Sequence, residues 1–274
     1  MPPFLDPTPA LHTWSLFRTM GRRVAPGSMP SGALPESPSA DGLDLLELPA
    51  QLAAHGIASA QLCHFYLPRT DDAYLGELRS AFDDAGVDIE VLLVDDGDVL
   101  DPDGGEAAQR WLSSWLEVAE RLGVPRVRVP AGDREPTPEL IELSARRLRA
   151  LAASHPDLRV LTENWKGLLV DAPTTLRLLD LTEGEVGLLV DTGNWDGPDK
   201  YRQLAAVAGR AEASQVKARE SAEGGIDEED FTRSLAVLRD AGYRGRLSVV
   251  YAGADDAEWE RIARLHELVH SVAG

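Results

Sequence analysis

The chain has 274 residues, with 46 acidic against 27 basic side chains, a formal net charge of -19 and 43% hydrophobic residues. So acidic a chain carries no basic stripe to track a phosphate backbone, which argues against general nucleic-acid binding. No apolar run approaches the ~20 residues of a membrane-spanning helix, and MPPFLDPTPA at the N-terminus lacks a basic region followed by a hydrophobic segment, so a cytoplasmic protein is expected.

In chain order, the first predicted strand is LHTWSL (11–16), followed by a Gly-, Pro- and Ser-rich segment over 18–42 and a helix over 44–55. SAQLCHFYL (59–67) and IEVLLV (89–94) read as strands, followed by helices over 72–85 and 106–122. RVRVPA (126–131), LRVLTE (158–163) and VGLLVD (186–191) then alternate with helical patterns over 137–153, 173–182 and 199–209. ASQVKA (213–218) and RLSVVYA (246–252) close the series, with helices over 228–241 and 256–272. Gly56, Gly86, Gly123 and Gly242 stand where helices should stop, and Thr137-Pro138 and Asp227 where they should start. Eight strand–helix units predict a single α/β domain, a (β/α)8 TIM barrel rather than an open doubly wound sheet. Residues 18–42 then form an insertion on the C-terminal face, as a surface loop or a lid, with Arg22 and Arg23 within reach of an anionic substrate.

A barrel converges its C-terminal strand ends, so LTENWKG and DTGNW would bring Glu163 and Asp191 into one pocket. Each carboxylate is either functional or a buried acceptor of backbone hydrogen bonds. The pairs Asn164–Trp165 and Asn194–Trp195 supply amides and aromatic walls suited to a sugar-like ligand. Strand periodicity puts Gln215 and Lys217 on one side; Lys217 is either an electrophile or acid/base, or a salt-bridge partner of Asp191. Arg128 is a candidate anchor for a substrate carboxylate or phosphate. His64, near the end of the second strand, is a candidate ligand or proton carrier, whereas His12 begins the first strand, the wrong end for catalysis. His55, His155, His266 and His270 read as surface or packing residues, and Asp95 to Asp98 as a turn. The lone Cys63 excludes an internal disulfide and reads as a buried thiol. Trp111 and Trp115 belong to the core or to a subunit contact, which leaves a homo-oligomer open.

TENWKG, DTGNWDGPDKY, SQVKA and VVYAG followed by AEW, together with VLLVDDGDVLDPD and RVRVPAG, resemble the sugar phosphate isomerase/epimerase group of xylose-isomerase-like TIM barrels over most of the chain. Relatives in that superfamily include sugar epimerases, hydroxypyruvate isomerase, inosose dehydratase and a DNA-repair endonuclease, and typically bind a divalent metal through Glu, Asp, His and Glu at successive strand ends. The resemblance carries the first Glu to Glu163 and the Asp to Asp191, but the His position holds Gln215 and the final Glu position holds Val250. It therefore implies at most a weak Mg²⁺ or Mn²⁺ site on Glu163, Asp191 and Gln215, with no cofactor as the alternative. Family chemistry commonly sets two carboxylates on opposite faces of the substrate, and only Glu163 remains as an obvious base. The expectation is an isomerase or epimerase acting by proton abstraction on a small polyhydroxylated or carbonyl substrate, with Glu163, Lys217 and His64 as catalytic groups. A lyase of secondary metabolism and a non-catalytic binding barrel are the alternatives.

Overall fold

The computed structural model describes residues 6–21, 42–221, 225–253 and 256–273. Eight strands, β1 (Asp6–His12), β2 (Ser59–Cys63), β3 (Asp88–Leu93), β4 (Arg126–Arg128), β5 (Arg159–Glu163), β6 (Gly187–Asp191), β7 (Ala211–Ala218) and β8 (Arg246–Tyr251), pair in sequence order into a closed barrel. Every pairing is parallel, including the seam between β1 and β8. Between them run α1 (Leu48–Ala54), α2 (Asp72–Ala85), α3 (Gly105–Leu122), α4 (Pro138–Ser154), α5 (Ala172–Leu181), α6 (Lys200–Ala208) and α7 (Glu228–Asp240), and α8 (Glu258–Ala273) follows β8. None of these helices is long and apolar enough to cross a membrane.

Local chemistry explains where the helices begin and end. The side chains of Asp71, Thr137, Asp171 and Asp227 each accept a backbone N–H three residues on, which satisfies one of the donors orphaned at a helix start. Gly56, Gly86, Gly123 and Gly242 all have positive φ, the left-handed turn that lets a helix stop and feed directly into the next strand. Leu62, Leu92, Val160, Leu188 and Val216 are fully buried in the apolar core of the barrel.

The first strand departs from the sequence-based span of 11–16. It occupies Asp6–His12, and Thr13–Leu16 form a 3₁₀ turn instead. Pro7 and Pro9 cannot donate to a sheet ladder, and the pairing with β8 is irregular between Asp6 and Ala10. Pro9 still takes part, its carbonyl accepting the Ala58 N–H at 3.0 Å. The shift moves His12 from the start of a strand to its C-terminal end. The segment after β1 is latched to α8, because Glu258, only 3% exposed, accepts the N–H groups of Arg18 and Thr19 at 2.8 and 2.9 Å and the Thr19 hydroxyl at 2.7 Å. Residues 22–41, and with them Arg22 and Arg23 of the insertion, lie outside the described residues.

Candidate active site

Glu163 ends β5 and is 4% exposed. Its Oε2 lies 2.9 Å from Nε of Arg128, an ion pair whose N–H is not aligned well enough for a hydrogen bond. The same guanidinium places Nη2 2.6 Å from Asp95 Oδ1 and donates through Nη1 to the Val94 carbonyl at 2.9 Å. One buried cation is thus shared between two carboxylates, which is how a charge survives removal from water. Trp165 lies under it, with the guanidinium carbon 5.2 Å from the ring centroid and Lys166 Nζ at 4.7 Å from the same ring.

A second ion pair faces the first. Lys217 Nζ is 2.8 Å from Asp191 Oδ2 and donates to Asn194 Oδ1 at 2.9 Å, while Asn194 Nδ2 donates to Glu163 Oε1 at 2.5 Å. Asn194 therefore joins the two pairs, oxygen toward the ammonium and nitrogen toward the carboxylate, the only polarity consistent with both partners. The Gly193 N–H caps Asp191 Oδ1 at 2.6 Å. Gly193 has no room for a side chain: a Cβ there would stand 2.6 Å from Lys217 Cδ.

Burial dominates the electrostatics. It pushes the Glu163 carboxyl up to about 7, reinforced by the charges of Asp191 and Asp95 and opposed by Arg128 and Lys217. For Asp95 burial acts in the same direction but is outweighed, and Arg128, followed by His64 and His12, holds the carboxyl below its usual range. Burial also takes His12 down to about 3, so its imidazole is neutral near pH 7. His12 Nδ1 accepts the Trp14 N–H at 2.9 Å, which leaves the ring proton on Nε2. His12 stands at the C-terminal end of β1, in register with Gln61 of β2. Cys63 Sγ lies 3.9 Å from His12 Nδ1, and burial raises its thiol well above the ordinary range, so it is a neutral packing group.

The structure places several sequence candidates elsewhere. His64 is set among aromatic side chains: its ring meets Trp115, Phe65 and Trp111 edge-on at 4.9, 5.6 and 5.7 Å, its Nδ1 accepts the Asp95 N–H at 3.4 Å, and its buried Nε2 makes no hydrogen bond among the described residues. Trp111 and Trp115 are thereby engaged in the core. Asn164 is not a ligand-facing amide, because its side chain brackets the Asp191 backbone, accepting from N–H at 2.8 Å and donating to C=O at 3.0 Å. Trp195 is likewise no wall; it is 5% exposed and donates Nε1–H to the Leu169 carbonyl at 3.0 Å. Arg128, the candidate substrate anchor, serves in this structure as a counter-ion to Glu163 and Asp95 and donates to the Val94 carbonyl. The DDGD run divides, since Asp96 and Asp98 accept backbone N–H groups as turn residues while Asp95 turns inward. His55 stacks on Trp259 at 3.9 Å, and His155, His266 and His270 make packing hydrogen bonds. His12 and Asp95 are the groups that sequence reasoning left out of the site; a first strand placed one turn earlier would have found His12.

The donor set does not fit a divalent ion. Among the described residues no three His, Cys, Asp or Glu side chains are grouped to hold one. Glu163 and Asp191 each carry a protein cation, and Val250, paired beside Lys217, has no donor atom.

The family model described as xylose isomerase-like TIM barrel matches residues 49–267. A xylose isomerase-like TIM barrel protein from Mycobacterium smegmatis, solved with magnesium, superposes with a TM-score of 0.69 at 15% identity, covering 97% of this chain and 98% of that one. The probable 3-DHS dehydratase AsbF of Bacillus anthracis gives 0.69 at 13% identity over 96% and 98% of the two chains. A D-psicose 3-epimerase solved in the presence of D-fructose gives 0.67 at 12% identity over 85% and 94%. The comparison with curated proteins finds no match.

Proposed function

From the chain's membership of the xylose isomerase-like TIM barrel family, we propose an enzyme of isomerase or epimerase type that removes a proton from carbon next to a carbonyl in a small polyhydroxylated substrate, without a divalent ion. The observation that carries this reading is Glu163, a buried carboxyl lifted to about 7 and joined through Asn194 to the Lys217 ammonium. A base works best when its pKa lies near the working pH, and burial tunes Glu163 to that value.

In this scheme the Glu163 carboxylate takes the C–H proton, and the electron pair moves onto the substrate carbonyl oxygen. Lys217 donates a hydrogen bond to that oxygen as charge develops, supplying electrostatic stabilisation that family members obtain from a metal. Asn194 holds Glu163 and Lys217 in register. Transfer of the hydroxyl proton on the attacked carbon to the enolate oxygen, and of the Glu163 proton to the former carbonyl carbon, completes an isomerisation. For an epimerisation the opposite face is protonated by water, whose oxygen the neutral Nε2–H of His12 can hold, and the proton on Glu163 neutralises the hydroxide left behind. A β-elimination begins with the same abstraction and ends with the proton on Glu163 passing to the departing hydroxyl, which leaves as water with the Nε2–H of His12 as a hydrogen-bond donor to it; the fold shared with a probable dehydratase favours this as the second reading.

The test is solvent-isotope exchange. A panel of ketohexoses and aldohexoses, incubated with the protein in D₂O and followed by proton NMR, should show deuterium entering the carbon beside the carbonyl, unaffected by chelator and abolished by Glu163→Gln. Exchange that persists in Glu163→Gln, or that stops with chelator, overturns the proposal.

A further inference from the structure

Below the catalytic pairs, a chain of side-chain amides crosses the barrel. Gln215 Nε2 donates to Gln61 Oε1 at 3.0 Å. Gln61 Nε2 in turn donates to the Ser214 carbonyl at 3.2 Å and to Glu90 Oε2 at 3.4 Å. Gln61 is fully buried, and Glu90, 6% exposed, lines a cavity of about 520 Å³ at the N-terminal end of the barrel with Arg126 and Arg246. The chain therefore runs from that lower cavity upward to Gln215.

Its polarity is fixed. The Ser214 carbonyl is only ever an acceptor, so Gln61 must turn its NH₂ toward it and its oxygen toward Gln215. Gln215 must then turn its own NH₂ downward. Its Oε1 accepts no hydrogen bond among the described residues and is not among the sealed, unsatisfied polar atoms, although Gln215 as a whole is only 2% exposed. Gln215 pairs along β7 and β6 with Asp191 and is two residues from Lys217, so that oxygen belongs to the catalytic end.

We propose that Gln61 is a positioning residue that locks the Gln215 amide with its oxygen toward the mouth, where it accepts a hydrogen bond from one hydroxyl group of the substrate. The position at which the resemblance expects a metal ligand thus becomes a neutral, oriented acceptor that selects for a hydroxyl and against its deoxy counterpart. This specificity role rests on the polyhydroxylated-substrate reading; the orientation of Gln215 does not. An oriented acceptor left without its partner hydroxyl is a buried polar group unpaired, which is the stronger form of discrimination.

Two measurements test it. In protein labelled with ¹⁵N-glutamine, the Gln215 side-chain amide protons should exchange slowly with water; Gln61→Met should speed that exchange about tenfold or more, and Gln61→Glu should restore protection, since its protonated carboxyl can donate downward and accept from Gln215. Unchanged Gln215 exchange in Gln61→Met overturns the positioning claim with no ligand present. In the second measurement, binding of D-fructose and its monodeoxy analogues is compared between wild type and Gln215→Leu. One missing hydroxyl should weaken wild-type binding roughly tenfold and leave Gln215→Leu indifferent to its loss. Equal losses in both proteins overturn the hydroxyl assignment. Wild type that binds none of the sugars removes the ketose reading and its hydroxyl contact together, while amide exchange still decides the orientation.

Discussion

Replacing Glu163 by Gln keeps the size of the side chain and its contact with Asn194 while removing the ionisable group. In the folded protein the carboxyl titrates near 7 rather than 4.5, so between those values the native chain holds a proton that the unfolded chain has released. Stability of the wild type therefore falls as pH rises through that window, and a displacement of this size corresponds to about 3 kcal/mol when fully expressed. Glu163→Gln lacks this liability, and Arg128 keeps Asp95 as a partner at 2.6 Å. The variant should melt within a degree or two of wild type at pH 5 and several degrees above it at pH 8. In the opposite direction, its rate of solvent deuterium exchange should drop ~10²–10⁴-fold, the usual range for loss of a general base. Wild-type kcat/KM should climb with pH and level off above about 7. Thermal melts from pH 5 to 8 on both proteins check the stability limb. A melting-temperature difference that does not widen with pH, or a variant less stable at pH 8, would refute a carboxyl held up by burial and with it the tuned base.

Lys217→Met should slow turnover about 10²-fold or more and also lower the melting temperature, because Asp191 loses its cation; full turnover in the folded fraction would reduce Lys217 to a salt-bridge partner. His12→Asn keeps an acceptor for the Trp14 N–H, so the melting temperature at pH 7 should hold while epimerisation or elimination falls; kinetics of the two processes in the variant check it. Arg128→Met leaves Glu163 and Asp95 buried without their shared cation and should destabilise the fold by about 3–5 kcal/mol in denaturant titration. Calorimetric titration with Mn²⁺ and Zn²⁺ should show no submicromolar binding at this site.

The architecture was legible because β/α alternation is written in periodicity and in turn chemistry: the four glycines read as stops all adopt positive φ, and Thr137 and Asp227 do cap helices. The first strand was misplaced because DPTPALH carries two prolines, which look like loop, while LHTWSL has the apolar character of a strand without its partners. Strand ends located Glu163, Asp191 and Lys217 because period-two alternation decides which side chains enter a barrel. What alternation cannot say is how polar atoms divide their hydrogen bonds. Asn164 and Asn194 occupy matching places in two similar motifs, yet one is consumed by backbone and the other bridges two ion pairs. Nor does a residue after a strand end declare whether it turns inward, as Asp95 does, or outward into an aromatic cluster, as His64 does.

The seam between β1 and β8 has a consequence for biosynthesis. Leu11 and Val249 pair across nearly the whole length of the chain, and the Glu258 latch on Arg18 and Thr19 comes later still. While the protein is being made from its N-terminus, β1 has only β2 beside it, and its other edge stays open until the ribosome has released β8 and α8. His12 sits on that open strand. A nascent chain therefore holds an incomplete catalytic end for most of its synthesis, and a product truncated before residue 246 exposes an unpaired edge at each side of the sheet, a template for aggregation rather than a partly active enzyme.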